Sequence, residues 1–104
     1  MEVIILGSGT GVPSARRGAP AAAVRTAATL VLIDLGSGTL RSLATQGLDF
    51  NDLDLICLTH LHPDHCSDLV PFLFATHYQL GYNRQRPVYI VAAAGFSYFL
   101  KGLQ

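Results

Sequence analysis

Four short apolar runs punctuate the chain, and each stops at residues that turn a backbone. The run at residues 3–6 ends in Gly7-Ser8-Gly9-Thr10-Gly11, which predicts a strand buried on both faces and then a tight loop. Residues 28–34 form the second run, β-branched and apolar up to the closing carboxylate of Asp34. The third covers residues 55–59 and the fourth residues 87–94. Between the second and third, Leu40, Leu43 and Ala44 share one helical face. Thr39 is placed to cap that helix, Gly47 suits the left-handed position that ends it, and Leu48 can fold back on Leu43. Residues 49–54 are polar and turn-like.

After the third run, Leu69, Phe72, Leu73, Thr76 and Leu80 repeat at three and four, a second helix that Ser67 or Asp68 can cap. Pro71 fits it only in the first turn, where a missing N–H leaves nothing unpaired. Residues 81–86 break the pattern, and residues 95–103 open a third helix. Residues 12–25 carry Pro13, Gly18, Pro20, an alanine run, Arg16, Arg17 and Arg25, with neither helical nor strand period. They are assigned to a long loop, read as a mobile surface segment in preference to a basic lip over a site.

Strands alternating with helices predict an α/β (α+β) fold in which helices cover a sheet. The 104 residues make one domain at most. A hydrophobic content of 50% with mean hydropathy of +0.38 exceeds what a domain of this size needs for its own interior, which predicts surface meant for a partner. Charged residues are 13% and balance to zero, so any attraction for a polyanion must be local. No apolar run approaches the roughly 18 residues of a membrane span. Cys57 and Cys66 do not make a disulfide framework and no secretory leader precedes Val3, so the expected location is cytoplasmic.

The densest chemistry is Thr59-His60-Leu61-His62-Pro63-Asp64-His65, directly after the third run. Imidazole nitrogen and carboxylate oxygen are the donors that zinc and similar cations prefer. In an extended turn His60 and His62 face the same way, while Asp64 and His65, past the bend at Pro63, turn toward a second point. That spacing suits two cations side by side, whose chemistry is hydrolysis by activated water. Capping and turn hydrogen bonds are the bland reading, and four ligand-type residues in so short a span outweigh it.

The other candidates rank lower. His77 lies on or beside the apolar stripe of the second helix and is read as a core residue. Cys66 could offer a thiolate, but a small buried thiol is the preferred reading. Asp34 is balanced between capping its loop and orienting a ligand histidine through the distal N–H. The glycine loop at residues 7–11 is a poor phosphate site, since Val12-Pro13-Ser14 opens no helix and no Lys-Ser/Thr pair follows.

The stretch 59–65 resembles the His-x-His-x-Asp-His signature of the metallo-β-lactamase superfamily. Residues 32–39 resemble the strand and loop that carry that superfamily's first aspartate, and residues 6–14 resemble the opening of its ribonuclease Z branch. The resemblance implies the N-terminal half of an αββα sandwich and a zinc-dependent hydrolase that removes the 3′ trailer of precursor transfer RNA. It implies two zinc ions, the first on His60 and His62 and the second on Asp64 and His65. By the same resemblance Asp64 would also hold or deprotonate the attacking water, and Asp34 and Thr59 would support the ligands.

The chain departs from the pattern in Pro63, where ribonuclease Z more often has glycine, and in residues 16–26, which match the family's basic segment only loosely. The family completes its site with a later histidine, a bridging aspartate and a final histidine. The expectation is therefore a single incomplete domain at residues 1–104, inactive alone, that pairs with the missing C-terminal half or forms a homo-oligomer. Alternatives are hydrolysis of another phosphodiester, a sulfate ester or a lactone, and a non-catalytic metal-binding or interaction fragment.

Overall fold

Five strands hydrogen-bond in chain order into one mixed sheet. The computed structural model describes residues 1–78 and 86–102. Strands β1 (Glu2–Gly7), β2 (Ala21–Arg25) and β3 (Leu30–Ile33) form an antiparallel meander. Strands β4 (Leu55–Cys57) and β5 (Tyr89–Val91) then add parallel to β3 and to each other. Parallel neighbours need a crossover, and helices supply it. Helix α1 (Thr39–Thr45) and a short 3-10 turn (Phe50–Asp52) join β3 to β4, while α2 (Pro63–Cys66) and α3 (Leu69–Tyr78) follow β4. Helix α4 (Phe96–Gly102) follows β5. No helix of the described residues is long and apolar enough to cross a membrane.

Three assignments from sequence need correction. Residues 21–25, assigned to the long loop, form β2 at the heart of the meander. Alanine is a poor strand former, but Ala21 and Ala23 are buried beneath the helices, and the pairing partners on both sides override propensity. Thr39 does not cap α1: it is the first helical residue, Gly38 holds the cap position at φ 87°, and no side chain of the cap residue bonds there. The Leu40 N–H is instead satisfied by Asp68 Oδ2 at 3.0 Å, a residue proposed from sequence to cap its own helix. The segment after β4 makes two helices rather than one, with Pro63 opening α2 at the position where its missing N–H costs nothing. Leu80 and most of the polar break at 81–86 lie outside the described residues, as does the His77 side chain.

The end of α1 follows its pattern. Gly47 takes φ 74°, its N–H reaches the Ala44 carbonyl at 3.0 Å, and the Leu48 N–H reaches that of Leu43 at 2.9 Å. These two bonds satisfy the last carbonyls of the helix and fold Leu48 into the core.

Strand pairing sorts the side chains into two apolar faces. Leu6, Ala21, Ala23, Leu30, Leu32 and Ile56 point toward the helices and pack with Leu43, Leu53, Leu69 and Phe72 in one cluster. On the opposite face the register aligns Val3 with Val24, Val24 with Val31, Val31 with Leu55, and Leu55 with Tyr89. Val3, Ile5, Tyr89 and Val91 are 57–65% exposed there. A sheet apolar on both sides is built to be covered on both, and the described helices pack on one. The excess apolar composition resides on this open face.

The two faces predict opposite responses to similar changes. Leu32→Ala should lower stability by about 2–5 kcal/mol in urea denaturation, because it opens a cavity under the helices. Ile5→Thr should cost less than about 1 kcal/mol, since that side chain is already in water.

Candidate metal centre

The centre forms where the carboxyl ends of β3 and β4 lie side by side. Asp34, the residue after β3, takes φ 64°, a left-handed conformation costing an L-residue about 1–2 kcal/mol. Its neighbours fix it there: the Asp34 N–H donates to the Cys57 carbonyl at 2.8 Å and the Leu35 N–H to that of His65 at 2.8 Å. The turn aims the carboxylate across the strand ends, where it is only 6% exposed.

That carboxylate gathers three groups. Oδ1 accepts the Thr59 N–H at 2.9 Å, the Thr59 hydroxyl lies 2.8 Å from Oδ2, and His65 Nδ1 lies 2.7 Å from Oδ2. Burial acts to raise the Asp34 pKa, but the bonds from the Thr59 backbone, His65 and the Thr59 hydroxyl together outweigh it and hold the group below its ordinary value. Hydrogen bonds to a charged partner contribute about 1.5–3 kcal/mol each, enough to offset the strained φ.

An ionised Asp34 can only accept, and this fixes the protons around it. The single Thr59 hydroxyl proton goes to Asp34, so His60 Nδ1, 3.0 Å from the Thr59 oxygen, must be a donor to it. His65 likewise donates from Nδ1 to Asp34. In the neutral rings both Nε2 atoms are then left with lone pairs, the tautomer that metal-ligating histidines adopt when a carboxylate or hydroxyl holds the other nitrogen.

Ligand atoms of His60, His62 and Asp64 all lie within 4.8 Å of one another. The His60 and His65 rings are 3.8 Å apart by centroid and those of His60 and His62 4.8 Å. His65 Nε2 stands 3.3 Å from Asp64 Oδ2, an acceptor facing an acceptor when the imidazole is neutral. Converging lone pairs with no proton between them fit a cation. Asp64 thus lies close to His60 and His62 as well as to His65, where the sequence pattern paired it with His65 alone.

Backbone without side chains makes this packing possible. A Cβ on Gly36 would run into the Asp64 carbonyl oxygen and come within 2.6 Å of the Ala19 Cβ, and one on Gly11 would sit 3.2 Å from the Asp64 Cβ. Two of the conspicuous glycines therefore let loops close on Asp64. Cys66 is turned away: its thiol is 3.4 Å from the Leu61 carbonyl, and burial, then the charges of Asp34 and Asp64, push it up. Its hydrogen bond to that carbonyl fits the reading of a small buried thiol. Sequence reasoning singled out every one of these ligand-type residues. It missed Asp68 as a tie to α1 and the closeness of Asp64 to Gly36, because both contacts join segments far apart in the chain.

A family model described as "Anti-Pycsar protein Apyc1" matches residues 1–96. Ribonuclease Z of Mycobacterium sp. (strain KMS) is 38% identical over 95 residues, which cover 91% of this chain and 33% of that protein. Among solved structures, human tRNase Z, short form, superposes with a TM-score of 0.83 at 31% identity, covering 98% of this chain and 39% of that one. The metallo-β-lactamase fold protein YhfI from Bacillus subtilis gives 0.77 at 28% identity, over 95% of this chain and 40% of that one. The chain spans about a third of the length of the curated relatives it matches.

The proton assignment is open to direct measurement. Long-range proton–nitrogen NMR correlations at neutral pH should show His65 carrying its proton on Nδ1. In Asp34→Asn the amide can donate to that nitrogen, and the proton should move to Nε2; an unchanged tautomer would contradict the role given to Asp34.

Proposed function

The chain belongs to the family described by the anti-Pycsar protein Apyc1 model, within the ribonuclease Z-like branch of the metallo-β-lactamase superfamily, and on that premise we propose that it carries the metal centre of a zinc-dependent hydrolase cleaving phosphodiesters in RNA. The observation that supports it most is the proximity of ligand atoms of His60, His62 and Asp64, with His65 beside Asp64, and the orientation of His60 and His65 by Thr59 and Asp34. His60 and His62 would hold one zinc, Asp64 and His65 a second. Bound there, zinc supplies Lewis acidity toward a phosphoryl oxygen and activates water at neutral pH.

The remaining work falls to the chain's own groups. Asp64, only partly buried beside an open cavity of about 330 Å³, accepts a hydrogen bond from the attacking water and takes its proton. His65 is held by Asp34 and keeps its ring toward Asp64. Asp34 and Thr59 are positioning residues, since their polar atoms are engaged with each other and with the histidines.

The open apolar face is read as the seat of the sandwich's second layer, or of a second copy of the chain. The relatives' greater length supports the first. By this reading residues 1–104 alone form an incomplete domain that binds zinc weakly and turns over no substrate, and the intact protein acts in the cytoplasm.

Zinc content after dialysis checks the ligands. His62→Ala should lose zinc, Cys66→Ala should retain it, and Asp34→Ala should weaken affinity about 10–100-fold. Full zinc retention in His62→Ala would overturn the assignment. For substrate, the protein with its second layer in place is compared on precursor transfer RNA and on bis(4-nitrophenyl) phosphate. Cleavage of the small diester alone would sink the RNA assignment.

A further inference from the structure

Helix α2 carries Asp64 and His65 on four residues, too few for a helix to hold its own shape. Its cap residue, His62, makes no side-chain cap bond. Internal bonds run from the His65 N–H to the His62 carbonyl at 2.9 Å and from the Ser67 N–H to the Pro63 carbonyl at 3.0 Å. A segment this short has to be fastened from outside.

Two carboxylates fasten it, one at each end. At the near end Asp34 holds His65 Nδ1, and the Leu35 N–H donates to the His65 carbonyl at 2.8 Å. At the far end the Asp68 N–H donates to the Leu35 carbonyl at 3.0 Å, and Asp68 Oδ2 accepts the Leu40 N–H at 3.0 Å. These bonds join residues 34–40 to residues 65–68, starting from the His65 ring and finishing at the Asp68 carboxylate.

The body to which Asp68 is tied is itself secured. Helix α1 has no side-chain cap of its own, since Gly38 holds that position, and Asp68 supplies the acceptor from another element. Further along α1, Leu43 is fully buried and the Ser42 hydroxyl donates to the Leu6 carbonyl at 2.6 Å, which moors the helix to the core and to β1. The Phe72 N–H donates to the Asp68 carbonyl at 2.9 Å, so the same residue opens α3. Little slack remains between the two segments, because a Cβ on Gly36 would come within 2.2 Å of the Asp64 carbonyl oxygen. His60 and His62 precede Pro63 and take no part in these ties.

We propose that Asp68 is a positioning residue of the metal centre. By accepting the Leu40 N–H, its carboxylate holds the stretch after α2 against α1 and so sets where Asp64 and His65 stand relative to His60 and His62. The proposal rests on the two-zinc reading for its consequence, which is that loss of the tie weakens the second zinc, on Asp64 and His65, and spares the first, on His60 and His62.

The test compares variants of the chain with their parent by zinc titration against a chromophoric chelator and by proton–nitrogen NMR of the histidines without metal. Asp68→Ala should lower affinity for the second zinc about tenfold and leave the first unchanged. Its His65 ring-nitrogen signals should shift while those of His60 stay. Asp68→Asn keeps an oxygen that can accept the Leu40 N–H and should restore both readouts. Gly47→Ala strains the other end of α1, where φ is 74°, and should lower the melting temperature without moving either readout. If the alanine variant does not fold, Asp68→Ser replaces it with the same expected shifts, because its oxygen sits one bond nearer the backbone and falls short of Leu40.

Unchanged His65 signals in the folded alanine or serine variant overturn the proposal. So does an equal loss of the second zinc in Gly47→Ala, which would trace the effect to stability alone, and so does failure of Asp68→Asn to restore the parent's signals. If the parent takes up no zinc, the hydrolase reading fails, and the His65 signals, recorded without metal, still decide the role of Asp68.

Discussion

One carboxylate, Asp34, joins the two strand ends on which the whole centre depends. It leaves β3 in a left-handed turn that an L-residue adopts only at a cost, and four hydrogen bonds hold it there, from its own N–H, Thr59 N–H, the Thr59 hydroxyl and His65 Nδ1. The bonds tie the end of β3 to Cys57 at the end of β4 and to Thr59 and His65 beyond it. The result is a frame in which the lone pairs of two imidazoles are set by the ionised carboxylate of a buried third group.

The sheet makes the frame possible. Parallel pairing of β3 with β4 brings their carboxyl ends to the same edge, so that Asp34 and Thr59, 25 residues apart in sequence, become neighbours. Antiparallel β1 and β2 flank them and present the loop that carries Gly11 and Ala19 to Asp64. The helices secure the inner face only, which leaves a fully apolar outer face and explains why composition exceeded the needs of one core.

Much of this was legible in the sequence wherever the information is local. Residues 59–65 stood out by their density of ligand-type side chains, three of which the fold brings together, the end of α1 by Gly47 and Leu48, and the strands β1, β3, β4 and β5 by their apolar runs. Non-local features were not legible. Strand β2 consists of alanines, whose small side chains suit the space under the helices but carry no strand signal of their own. Asp68 looked like a cap for the helix beside it and serves α1 instead, a choice made by tertiary packing. Residues 12–25 were read as a mobile surface loop because they carry neither helical nor strand period, and only the fold brings Arg16 and Arg17 to a cavity that Arg41 also lines.

The same loop explains how opposite charges coexist at such close quarters. Asp64 and Arg17 border one cavity, and an ion pair between them would quench both the proton acceptor and the cation. The loop is pinned before that can happen. Gly9 N–H donates to the Gly18 carbonyl at 2.8 Å, and Gly36, lacking a Cβ, lets Ala19 and the Asp64 backbone close together. Among the described residues Asp64 lies against His65 and makes no ion pair with Arg17. Gly9, Gly18 and Gly36 thus act as spacers, holding the strip of backbone at residues 9–19 close against the Asp64 segment.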